Sequence, residues 1–242
     1  MPYPHTSPQL SAVGQGHSVA QTNRNLPNKL RAREPISRSF GLIRGKFPSQ
    51  KVGRMIHWES QLERDAVILF EFSRGVISYR EQPLTTYYAL DGKVRRYTPD
   101  FEITLFTGEV VLIEVKPSEK LLDPKESTRL RRIAEHFAET GSAYRILTEI
   151  ELRPGDLLAN LQMVFRYREA KLSPFERRKF SEQIRVAGEM TFGDATVLLG
   201  AKSLVWILIA ENLLFCDLRH PVTEKTVLFT GIREGWNEEL YF

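Results

Sequence analysis

The chain has 242 residues, 42% of them hydrophobic, with 34 Lys and Arg against 30 Asp and Glu. This is enough apolar material for a packed core and too balanced a charge for a wholly disordered chain. No run of about 18 apolar residues occurs to cross a membrane as a helix, and a single cysteine, Cys216, excludes an internal disulfide. The polar, proline-containing start does not read as a secretion signal, so a cytoplasmic protein without membrane association is expected. Cys216 lies in the apolar run 213–218 and reads as a core thiol.

Residues 1–54 hold nine basic side chains against Glu34 alone. The first 37, rich in Pro, Ser, Gln, Asn and Gly, read as a basic flexible arm without a packed conformation of its own. Such an arm either follows phosphates, gaining affinity by counterion release, or serves as a solubilising tail. Within the basic stretch Arg38, Arg44, Lys46, Lys51 and Arg54 are the candidates for DNA contact.

Order is expected from about residue 38. Leu62, Ala66, Leu69 and Phe70 follow helical spacing and predict a helix over 58–72. Strand-like runs follow at 76–79, 84–88, 96–105 and 110–115, with Asp91-Gly92 and Thr107-Gly108 supplying turns. Pro99 weakens the third run as a central strand unless the strand proper begins at Asp100. Pro124 opens a helix carrying Leu130, Ile133, Ala134 and Phe137, which stops near Gly141 before a strand at 144–147. The expected fold class is therefore α/β, a mixed sheet flanked by helices over residues 38–153.

From 154 to 242 the pattern changes to helices at about 156–167, 174–187, 192–199 and 202–211, closed by a strand pair, 213–218 with 226–230. Helices followed by a two-stranded wing predict a mainly helical, winged-helix-like C-terminal domain. The 202–215 stretch is dominated by Leu, Val, Ile and Trp206, so it reads as core. Basic residues gather instead at Arg166, Arg168, Lys171, Arg177, Arg178, Lys179 and Arg185, either a phosphate-facing surface or a solvated helix face.

The chemistry concentrates in Tyr97-Thr98-Pro99-Asp100-Phe101 and, after a hairpin turn, Ile113-Glu114-Val115-Lys116. Side chains two apart on a strand share a face, so Glu114 and Lys116 point together and hairpin pairing brings Asp100 toward them. Carboxylates of this kind suit Mg²⁺, with Mn²⁺ as a substitute. Lys116 is placed to orient or deprotonate a water or to hold a phosphate, and acting as the base requires a depressed pKa. On the first helix Glu63 competes with Glu59 for a place in the site, and Ser60 to Glu63 also matches a helix-capping box.

These segments, from RSFGLIRGKFPSQKVGRMIHWESQLERDAVILFEF through YREQPL and YTPDF to IEVKPSE, resemble the TnsA-type transposon endonucleases of the PD-(D/E)xK restriction-endonuclease-like superfamily. The resemblance covers about a third of the chain. It implies an active site of Glu63, Asp100 and Lys116, with Glu114 where the best-known member has glutamine; Glu63, Asp100 and Glu114 become the metal ligands and Glu59 an accessory. It further implies cleavage of the non-transferred strands at transposon ends on double-stranded DNA, alongside a DDE-type transposase subunit and a AAA+ ATPase regulator. Two rivals stand beside it: a nuclease-fold scaffold that bridges those partners without cutting, and a stand-alone restriction or repair nuclease.

Overall fold

The computed structural model describes residues 43–231 and 240–242, so the expected arm at 1–37 and Arg38 lie outside the described residues. A hairpin of β1 (Gly45–Ser49) and β2 (Arg54–Trp58) comes first, then α1 (Gln61–Phe72), β3 (Val76–Glu81), β4 (Thr86–Leu90), β5 (Lys93–Tyr97), β6 (Phe101–Leu105) and β7 (Val110–Val115). The chain continues through α2 (Ser118–Leu121), α3 (Pro124–Glu139), β8 (Ala143–Leu147), α4 (Glu149–Leu152), α5 (Leu157–Tyr167) and α6 (Pro174–Ala187). It closes with β9 (Met190–Thr191), α7 (Phe192–Leu199), α8 (Lys202–Ala210) and β10 (Val227–Leu228).

The central sheet has the order β3-β6-β7-β8, antiparallel except for the parallel β7–β8 pair, and is therefore mixed. The run expected as one strand over 96–105 is two. Pro99 has no N–H to give to a ladder, and the chain breaks there: β5 turns away to pair with β4 in a separate ribbon, and β6 enters the sheet at Phe101. Alternation along β7 sends Ile113 and Val115 to one side and Leu112 and Glu114 to the other. On the first side α1 packs through Ala66, Leu69 and Phe70, with Phe70 edge-on to Phe101 at 5.5 Å. On the second, Leu130, Ile133 and Phe137 of α3 cover Leu112 together with Tyr88 and Tyr97 of the ribbon. Ile113 is wholly buried, and truncating it to alanine would cost about 2–5 kcal/mol.

Local signals fix the ends of these helices. Ser60 caps α1 by accepting the Glu63 N–H, and Asp123 followed by Pro124 opens α3. The expected boundary at 153/154 does not separate two cores: Leu157, Leu161 and Val164 of α5 belong to the same hydrophobic cluster as α1 and β7. The expected wing pairing is present in reduced form, as an antiparallel Phe215–Phe229 bridge in which each N–H donates to the other's carbonyl at 2.8–2.9 Å. Leu214, Phe215 and Cys216 are buried in succession rather than alternately, so this segment fills core instead of extending into a longer ladder. β10 pairs instead with β9, ahead of α7. Cys216 is a buried free thiol, pushed up to about 12 by burial.

Candidate active site

Backbone pairing sets the position of Asp100. The β6–β7 register pairs Phe101 with Ile113, so one step further Asp100 stands opposite Glu114. Its carbonyl accepts the Gln82 N–H at 2.8 Å and its carboxylate accepts the Val115 N–H at 2.8 Å. Glu114 is buried at 3% exposure, accepts the Tyr97 hydroxyl at 2.5 Å, and lies 3.1 Å from the Lys116 ammonium. Glu63 comes from the first turn of α1. Its carboxylate accepts the Glu59 N–H at 2.7 Å and the Ser60 hydroxyl at 3.1 Å, so the residue that closes the helix cap also faces the site. Glu59 is held by Gln82 Nε2 at 3.3 Å.

The charges are poorly balanced. Burial, then the carboxylates of Glu114 and Glu63, push Asp100 well above the usual carboxylate range. Glu63 is likewise raised, first by burial and then by Glu59 and Glu114 against its hydrogen bonds. For Lys116 burial acts downward, but Glu114, Asp100 and Glu126 outweigh it and raise the pKa, so the side chain stands as an ammonium.

Asp100 and Glu63 line a cleft of about 250 Å³ together with Glu59, Trp58, Arg44 and Lys46. Two expected DNA contacts, Arg44 and Lys46, thus share a cavity with two of the carboxylates. The other two require correction. Lys51 turns inward, its ammonium donating to the carbonyls of Phe70, Ser73 and Val76 at 2.6–2.7 Å, where it caps the end of α1. Arg54 forms a two-pronged pair with Glu81 at 2.7 and 3.0 Å. In the C-terminal basic group, Arg168 is buried at 4% exposure between Phe47 and Phe165 and pairs with Glu71, and Arg177 pairs with Glu211.

The donor set suits a hard cation: buried oxygen ligands that repel one another and are only partly compensated by Lys116. Glu63 and Asp100 face the same cavity; Glu114, drawn to Tyr97 and Lys116, lies outside its lining. Among the described residues no three His, Cys, Asp or Glu side chains are gathered into a ready cation site. The sequence reading did not anticipate the outer ring around Glu114. Tyr97 is hydrogen-bonded to Tyr144 at 3.0 Å, and Arg129 binds Glu126 at 2.7 Å while standing 4.0 Å from Glu114. The one sequence signal for it was Glu126 and Arg129 at helical i,i+3 spacing.

Two carboxylates and a lysine thus meet on the two inner strands of a mixed α/β sheet, with a glutamate brought up by a flanking helix. Residues 73–149, about a third of the chain, match the family model described as TnsA-like endonuclease N terminal, and the match supports a nuclease of the TnsA type for this part of the chain. The matched segment contains Asp100, Glu114 and Lys116, whereas Glu63 precedes it. No curated protein matches the chain.

Proposed function

We propose that this chain is a metal-dependent DNA endonuclease subunit of a heteromeric transposase, cutting the non-transferred strands at transposon ends so that the element leaves by cut-and-paste. The observation that carries this reading is the placement of Asp100 opposite Glu114 and beside Lys116 within the segment matching the endonuclease family. Glu63 and Asp100 would hold Mg²⁺ or Mn²⁺, with Glu114 next to them across the strand pair. When bound, the ion polarises the scissile phosphate and lowers the pKa of a water. The protein's own residues do the rest: Lys116 meets the phosphate as a fixed positive charge, Tyr97 orients Glu114, and Arg44 and Lys46 draw the DNA backbone to the cleft. The C-terminal half, where the β9–β10 ladder brackets α7 and α8, is read as winged-helix-like and as the face toward a DDE-type transposase and a AAA+ ATPase.

The scaffold reading keeps one observation in its favour, namely that the carboxylates are not pre-gathered into a cation site among the described residues. Strand-resolved cleavage of labelled transposon-end DNA with Mg²⁺ decides the matter, comparing wild type with Lys116→Ala, each alone and with the cognate transposase and ATPase. Cutting only in the full mixture, lost on one strand with Lys116→Ala, is the expected result. Cutting by the isolated chain would point to a stand-alone enzyme, and identical wild-type and variant products would leave the scaffold.

A further inference from the structure

Beyond Tyr97 at its end, the β4–β5 ribbon takes no part in the candidate active site. Asp91-Gly92, both with positive φ, make the tight two-residue turn that matches strand twist, and the pairing runs from Thr86↔Tyr97 to Leu90↔Lys93. One face is fixed. Tyr88 and Tyr97 are buried against α3, Thr86 Oγ1 lies 2.8 Å from His136 Nε2, and Arg132 donates to the Ala89 carbonyl at 3.2 Å. Alternation therefore turns Tyr87, Ala89, Val94 and Arg96 outward, with Tyr87 directly across from Arg96. Residues 91–96 are all exposed, as are Tyr87 at 63% and Val94 at 75%.

The charge on the ribbon is unusual for the molecule: Arg96 stands on the outward face, whereas Lys93 and Arg95, across from Leu90 and Tyr88, alternate to the opposite side yet stay exposed. Lys93, Arg95 and Arg96 stand against Asp91 alone in the ribbon, and none of the three makes an ion pair among the described residues. Other arginines of the same half are committed: Arg80 to Glu102, Arg129 to Glu126 and Arg132 to Glu139. Holding three unneutralised cations and an open tyrosine on a rigid ribbon favours a polyanion partner that also offers flat apolar surface. The ribbon runs directly through Thr98 and Pro99 into Asp100. Five residues per strand give a length of about 17 Å, and the major groove of B-DNA, about 12 Å wide, admits a two-stranded ribbon.

We propose that the β4–β5 ribbon is the element that docks on duplex DNA beside the cut, lying in the major groove with Lys93 and Arg95 on phosphates and Arg96 and Tyr87 on base edges. This rests on the nuclease reading for its location, but the test reads binding rather than cutting. A full-length chain is titrated against a labelled duplex without divalent cation, over a range of salt concentrations. The Lys93→Ala/Arg95→Ala/Arg96→Ala variant is expected to bind at least about tenfold more weakly, with a salt slope reduced by up to about 0.9 for each lost phosphate contact. Tyr87→Ala should lose affinity with the slope unchanged. Wild type should shield guanine N7, a major-groove atom, from methylation near the cut, and Arg96→Ala should relieve that shielding. These side chains are exposed, so the variants keep the wild-type melting temperature. Unchanged affinity and slope in the triple variant would overturn the proposal and make a protein the ribbon's partner. An equal loss on neutralising Arg178 and Lys179 of α6 would also overturn it, because the binding would then be diffuse attraction. A wild-type chain that binds no duplex defeats the ribbon while leaving the nuclease reading to the cleavage assay.

Discussion

Two buried glutamate- and aspartate-centred clusters lie at opposite ends of α1, and they are built on opposite rules. At the C-terminal end Glu71 accepts from five donors: the Ser49 hydroxyl at 2.6 Å, the Gln50 and Lys51 N–H groups, the Tyr79 hydroxyl at 2.8 Å and the Arg168 guanidinium at 3.2 Å. At the N-terminal end the Asp100 carboxylate accepts one backbone N–H and faces two further carboxylates. A buried charge is costly unless paired and hydrogen-bonded. The saturated cluster joins β1, α1, β3 and the end of α5, whereas the starved one leaves negative charge for something outside the chain to balance.

The contrast is sharpest for removal of the central carboxylate. Asp100→Ala should lower cleavage by more than about 10³-fold while leaving the urea midpoint at or above wild type, because a repelled buried charge disappears; a marked loss of stability would erase the distinction. Glu71→Ala should do the reverse, destabilising by about 3–5 kcal/mol as Arg168 loses its buried partner, to be read from chemical unfolding.

The Lys51 cap adds a pH signature to the structural cluster. Burial pushes this lysine down to about 8 from an ordinary 10.5, against the pull of Glu71. Between those values the unfolded chain keeps a proton that the folded chain has released, so unfolding takes up a proton and stability rises with pH. The cost of burying the ammonium is complete below pH 8 and relieved toward 10.5, by about 3 kcal/mol at most. Wild type should gain on Lys51→Met across that window in urea titrations, and a flat difference would remove the buried-cation account. The smallest effect belongs to Tyr97→Phe, which deletes the hydroxyl that donates to Glu114 and is hydrogen-bonded to Tyr144. The Mg²⁺ concentration for half-maximal cutting should rise about tenfold with no change in melting temperature.

Much of the site was legible because it is local. The hairpin turn at Thr107-Gly108 and the period-two alternation of β7 fix which side chains meet, so Asp100, Glu114 and Lys116 follow from neighbours in sequence. Pro99 likewise announced the break before β6. What escaped was the fate of individual cations. Whether Lys51 faces solvent or three carbonyls depends on residues 19 to 25 positions away, and Arg168 is buried by partners about 100 positions back along the chain. A basic stretch looks the same in either case. The extent of the wing, reduced to a Phe215–Phe229 bridge, was hidden for a related reason: an apolar run from 213 to 218 fits a strand or a core-filling segment equally well until the neighbouring elements are in place.

The packing of α5 on α1 means that the stretch matched by the family and the unit of folding differ. The family match covers residues 73–149, yet the helix that carries Glu63 is clamped between the sheet and Leu157, Leu161 and Val164. A chain trimmed at the edge of the recognisable segment would bare that apolar stripe to water and loosen the floor beneath its own glutamate. Any partner that grips the C-terminal half accordingly holds the back of the helix on which the cleft is built.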